Sequence, residues 1–116
     1  MKLITAFIQP FMLNKVTRAL RQSGITSFSV TEIQGASPEQ IGDADYLSKK
    51  VRIDIAISDQ DTDRTTRLIL QKASTHQPGD GLILVQELCA AINIDTGIAI
   101  EEPPTKSNPR VADLGD

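Results

Sequence analysis

Tryptophan is missing from this 116-residue sequence, and aromatic residues make up only 3% of it. Stacking nucleic-acid bases on aromatic side chains is therefore not open to the chain, and its core must be aliphatic. A single cysteine, Cys89, excludes an internal disulfide and fits a reducing compartment. A single histidine, His76, leaves no Ser, His and acid set at a meaningful spacing, so an enzyme finds no support. The formal net charge of −3 lacks the basic excess that a nucleic-acid backbone or an anionic membrane demands of its main partner. No run approaches 18 consecutive apolar residues, and Met1-Lys2-Leu3-Ile4-Thr5 does not resemble a signal peptide. A soluble cytoplasmic protein is expected.

What is present is 40% apolar and long enough for one domain. Gln77-Pro78-Gly79-Asp80-Gly81 opens on the branched run Leu82-Ile83-Leu84-Val85, a glycine-bracketed turn that leads into a buried strand and presents backbone N–H groups. Upstream, Leu3 to Ile8 predicts a strand stopped by Pro10. Leu13, Val16, Ala19 and Leu20 share one helical face, and Gly24 is placed to close that helix. Strands are predicted over Ser27 to Gln34 and from Val51 to Ile57, the latter alternating cleanly. Asp59, Asp61 and Asp63 predict the acidic start of a second helix that runs to about Ser74 and buries Leu68, Ile69 and Ala73. Short extended pieces are expected at Ala91 to Ile94 and Ile98 to Ile100, turned by Thr96-Gly97.

The order is βαβ, loop, βαβ. It predicts an α+β, ferredoxin-like antiparallel sheet with two helices on one face. Residues 1–100 form the domain and 101–116, carrying Pro103, Pro104 and Pro109, a flexible tail. Apolar residues fall on both faces of Leu3 to Ile8 and of Leu82 to Val85, so a second copy of the chain is expected to cover the open face. The long polar stretch 36–48 joins the two halves. Loops of that size carry function, and Pro38, Glu39, Ile41, Asp43, Asp45 and Tyr46 are its candidate partner-binding residues. Glu39, Asp43 and Asp45 also offer oxygen ligands to a hard cation but match no calcium motif, so the metal is left unknown.

Ile8-Gln9-Pro10-Phe11 with Leu13, Gly24-Ile25-Thr26, Val30-Thr31-Glu32-Ile33-Gln34-Gly35, Lys50-Val51-Arg52-Ile53-Asp54, Gly79-Asp80-Gly81 and Thr96-Gly97 occur in that order. In these residues the chain resembles the PII signalling family over roughly positions 1 to 97. The resemblance implies a homotrimer, effector clefts between subunits, and a loop after Gly35 that docks on a regulated membrane transporter or enzyme. It also implies Ser29, Gly35, Lys50, Gly79, Asp80 and Gly81 as effector-binding or nucleotide-binding residues.

The chain departs from that pattern in its charges. The loop is about eight residues shorter than the family's, and Ala36-Ser37-Pro38-Glu39 stands where a Gly-Arg-Gln run is usual. Sensing of 2-oxoglutarate is therefore not expected. Leu82, Asn93 and Asp95 occupy positions of phosphate-binding cations, which forfeits charge-assisted contacts of about 1.5–3 kcal/mol each. No obligatory cofactor is expected, and a small effector such as AMP or ADP, with bicarbonate a further candidate, suits the cleft better than ATP. The alternative is a metal-responsive or scaffold trimer that has lost nucleotide binding. Substituting Gly79 or Gly81 by a β-branched residue is expected to abolish ligand binding and leave the fold intact.

Overall fold

A computed structural model describes residues 1–36 and 47–100. The elements follow in the order β1 (Lys2–Ile8), a 3-10 turn (Pro10–Met12), α1 (Leu13–Gln22), β2 (Ser29–Gly35), β3 (Ser48–Ile57), α2 (Asp59–Ala73) and β4 (Gly81–Glu87). The four strands form one sheet in the order β2-β3-β1-β4 with every neighbour antiparallel. With both helices covering one face, this is the ferredoxin-like α+β fold.

Alternation decides which residues the helices cover. Ile4, Ala6 and Ile8 on β1 lie opposite Ile55, Ile53 and Val51 on β3, and all six are buried. Val16 and Leu20 of α1, with Ile69 and Ala73 of α2, complete the same core. Thr65 lies in the buried stripe of α2 as well, its hydroxyl satisfied by the Asp61 carbonyl at 2.8 Å. A hydroxyl bonded one turn back costs little to bury, which is why periodicity in apolar residues alone passes over Thr65. Gly24, at φ +87°, ends α1 in a left-handed conformation open to glycine.

The open face carries Leu3, Thr5 and Phe7 of β1, Arg52 and Asp54 of β3, and Leu82 and Leu84 of β4, as the register requires. Leu82 and Leu84 are exposed. Ile83 and Val85 therefore take the helix side, opposite Ala6 and Ile4, but Ile83 is only partly buried against the core and Val85 is exposed, so this edge strand is not the buried one expected. At the centre, the Thr5 hydroxyl and the Arg52 guanidinium both donate to Asp54, at 2.7 and 2.9 Å. Partial burial pushes the Asp54 carboxyl up, but these two hydrogen bonds and the Arg52 charge outweigh it and hold the group below its usual range.

Strand ends differ from expectation by a residue or two at β1 and β2, and by more at β3. β3 starts at Ser48 rather than Val51, because Ser48, Lys49 and Lys50 pair with Gly35, Gln34 and Ile33 of β2; the polar ladder carries no apolar alternation to betray it. Asp59 and Asp61, in the first turn of α2 as expected, form ion pairs with Lys2 and Arg64, and Ser58 is the N-cap residue. The extended pieces near the end join no sheet. They close a small hairpin held by one bridge, Ile92 with Ala99, and turned at Gly97, φ +70°. The partner-loop positions Pro38, Glu39, Ile41, Asp43, Asp45 and Tyr46 and the tail 101–116 lie outside the described residues.

Ile53, fully buried at the middle of β3, lies opposite Ala6 of β1 and belongs to the same core cluster as Val16, Leu20 and Ile69 of the helices. Ile53→Ala is expected to lower the unfolding free energy by about 2–5 kcal/mol, read as a shift of the urea midpoint.

Candidate functional site

Strand directions bring five of the sequence-predicted residues to one end of the sheet. β1 leaves at Ile8, where β4 enters at Gly81 and β3 passes at Val51. β2 leaves beside them at Gly35, opposite Ser48. Gly35, Lys50, Gly79, Asp80 and Gly81 therefore sit together, although 46 positions separate the first from the last.

The Gly79 carbonyl is the point where three chain segments meet. The Gln9 side-chain amide donates to it at 2.5 Å and the Lys50 ammonium at 3.2 Å. One acceptor thus holds the end of β1, the start of β3 and the turn before β4. Gln9 was not among the expected site residues; its signal is a polar side chain between a buried strand and Pro10. Gly35 lies against the same lysine, since a Cβ there would rest 3.8 Å from the Lys50 Cγ. The hydroxyl of Ser48 closes the loop base on the Gly35 carbonyl at 3.3 Å.

Asp80 is turned inward on its own turn. Its carboxylate accepts from the Thr75 hydroxyl at 2.5 Å, the Thr75 amide at 2.6 Å and the Gln77 amide at 3.3 Å. The Thr75 hydroxyl first, then these amides, hold the carboxyl below its usual range. This clasp fixes the strained stretch that contains His76 at φ +60° and Gly79 at φ +89°. His76 is exposed, its ring 3.5 Å from the Ser74 hydroxyl, and contributes nothing to the cluster around Gly79.

The two glycines differ in what they permit. At Gly81, φ +138°, a Cβ would stand 1.9 Å from the Phe7 carbonyl oxygen, whereas at Gly79 its nearest neighbour would be Gln9 Nε2 at 3.7 Å. Substitution at Gly81 therefore disturbs the β1–β4 junction itself, contrary to the expectation that either glycine can be replaced without harm to the fold.

Ser29 is elsewhere. It opens β2, six residues of extended strand from Gly35, about 20 Å at about 3.3 Å per residue. There it lines a hollow with Leu3, Ser27, Phe28, Asp54 and Ala56. Asp54 faces Ser29 across the ladder, a carboxylate partner the sequence reading missed because it looked like one more polar position of an alternating strand. Among the described residues, no three His, Cys, Asp or Glu side chains are grouped to hold a metal ion, and no helix is long and apolar enough to cross a membrane.

Comparison with known proteins gives a consistent answer. The family model described as nitrogen regulatory protein P-II matches residues 1–98. The nitrogen regulatory protein GlnK of Escherichia coli (strain K12) is 39% identical over 109 residues, spanning 87% of this chain and 97% of that protein. The nitrogen regulatory protein P-II of Klebsiella oxytoca is 37% identical and that of Pasteurella multocida (strain Pm70) 35%, each over 105 residues, 84% of this chain and 94% of the relative.

Two outcomes are expected. Gly81→Ala lowers the melting temperature more than Gly79→Ala does, as measured by thermal unfolding; equal losses would mean that β1 and β4 are not in such close approach. Because the folded Asp80 carboxyl lies below its unfolded value, its clasp is complete above about pH 4 and is lost as pH falls through the lower folded value. The Thr75 and Gln77 amide resonances should hold their positions from neutral pH to about 5 and move only in more acid solution.

Proposed function

This chain belongs to the P-II family of nitrogen regulatory proteins, and on that premise we propose that it is a homotrimeric regulatory protein with an effector cleft between neighbouring copies. The effector is a small adenine nucleotide such as AMP or ADP, and bicarbonate is the candidate second ligand. The cluster around the Gly79 carbonyl carries this reading. It joins the effector turn to Lys50 and Gly35 at the two ends of the loop, so a ligand that competes for the Lys50 ammonium alters what anchors the loop. The loop then presents a different surface to a transporter or enzyme.

The separation of Ser29 from that cluster supports a cleft shared between copies. A ligand that meets both ends of β2 is supplied by two chains, one offering Gly35, Lys50 and the backbone of Gly79, Asp80 and Gly81, the other Ser29 in its hollow. Phe28, Leu3 and Ala56 are apolar walls for a flat base, while Asp54 and Ser29 accept and exchange hydrogen bonds with its edge. The exposed Leu82 and Leu84 and the hairpin residues Ile92, Ile94 and Ile98 give a second copy apolar surface to bury. Leu82, Asn93 and Asp95 add no positive charge for further phosphates, which favours the mono- and diphosphate. The 109 positions matched to GlnK exceed 87% of this 116-residue chain. This chain is thus the shorter of the two across the match, in keeping with a trimmed loop and with the loss of 2-oxoglutarate sensing.

Thermal unfolding of the purified chain with AMP, ADP, ATP, bicarbonate and divalent metals, singly and in pairs, tests this. A ligand at a hundred times its Kd stabilises the folded state by about 2.7 kcal/mol. AMP or ADP is expected to raise the melting temperature of the wild type and not of Gly79→Val. Removal of residues 39–45 should abolish partner binding and spare the nucleotide. A shift with metal alone would favour the metal-responsive alternative, and no shift with any ligand the scaffold.

A further inference from the structure

Helix α1 contains three cations and no acid: Lys15, Arg18 and Arg21 are exposed along Leu13–Gln22. On α2 positive charge is answered by ion pairs at two of three cations, Arg64 by Asp61 at 3.0 Å and Arg67 by Asp63 at 2.7 Å, the third being Lys72 in the last turn. On α1 it is not. Among the described residues Lys15 and Arg18 make no ion pair or hydrogen bond, and Arg21 only overlies the Phe28 ring at 5.6 Å. Helix stability accounts for Arg21, which sits in the last turn where a cation suits the helix dipole, but not for the full set: Lys15 lies in the first turn, where a cation opposes the dipole, and no residue of α1 offers an i, i+4 carboxylate.

We propose that the exposed face of α1 is a docking surface for an acidic segment of a partner protein. This contact is additional to the loop after Gly35 and does not depend on the identity of the effector. The three cations span about 9 Å of helix at about 1.5 Å per residue, a length that two or three carboxylates on an extended chain cover at their every-second-residue spacing. Phe11, exposed one turn before Lys15, adds an apolar shoulder. Charge selects the occupant. The whole chain carries −3, so a broad anionic membrane would meet net repulsion and gain from this short stripe only, whereas a narrow acidic peptide meets the stripe alone.

The test uses the full chain and a fluorescein-labelled oligoglutamate decapeptide, with binding followed by anisotropy and the footprint by amide chemical shifts. Wild type is expected to bind with shifts confined to residues 11–22, and to weaken by about tenfold as salt rises from low to physiological ionic strength. The triple change Lys15→Gln, Arg18→Gln, Arg21→Gln should lose this binding, and Arg67→Gln should keep it. Reversal at the same three positions to Glu should transfer affinity to an oligolysine peptide, which keeps the outcome readable if one variant folds poorly. A footprint away from α1, or peptide binding that survives the triple change, would overturn the proposal. So would co-sedimentation with phosphatidylcholine–phosphatidylserine vesicles through the same residues in the absence of peptide binding.

Discussion

Burial of β1 between two antiparallel neighbours is the constraint on which the rest of the structure depends. It is the only strand of the sheet that pairs with both β3 and β4, and its Ile4, Thr5, Ala6 and Ile8 are all buried. Both helices rest on the aliphatic face that β1 shares with β3. Its last residues set the approach of β4, where Gly81 is the residue that tolerates the Phe7 carbonyl beside it. A core so poor in aromatics is possible because alternating isoleucines fill the space between sheet and helices with branched side chains of defined rotamer.

The site grows out of that same end of β1. Gln9 extends from Ile8 to the Gly79 carbonyl, and Lys50 reaches the same oxygen from β3. Neither contact is strong by itself, but the two converge on a turn already clasped by Asp80. The proposed effector would therefore meet a turn already held by hydrogen bonds and joined to the first residues of β3, so that little of its binding free energy would be lost in ordering the turn. The opposite end of β2, where Ser29 pairs with Asp54 of β3, adjoins the hydrogen-bonded centre of the open sheet face, at which Thr5 and Arg52 hold the Asp54 carboxylate.

Most elements were legible in the residues. The clean alternation of Val51 to Ile57, the helical spacing of Leu13 to Leu20 and the acidic start of α2 each state their conformation locally. The polar ladder of Ser48 to Lys50 does not, because pairing of backbone with backbone leaves no mark in hydropathy. Nor does Thr65, whose burial rests on a hydrogen bond within its own helix. Of the candidate residues, the glycines at 79 and 81 announced a special backbone, but not that a Cβ would make an ordinary contact with the Gln9 side chain at one and collide with a carbonyl oxygen at the other.

By itself, then, the sequence determined the element order, the aliphatic core and the family resemblance, since these rest on periodicity, composition and short motifs that need no neighbour in space. Only the tertiary structure decided that Gln9, Lys50 and Gly79 share one oxygen, that Asp80 is spent on its own turn, and that Ser29 stands a strand's length from Gly35. The physical reason is the same in each case: hydrogen-bond partners far apart in the chain are chosen by strand register, and register is set by the burial of β1.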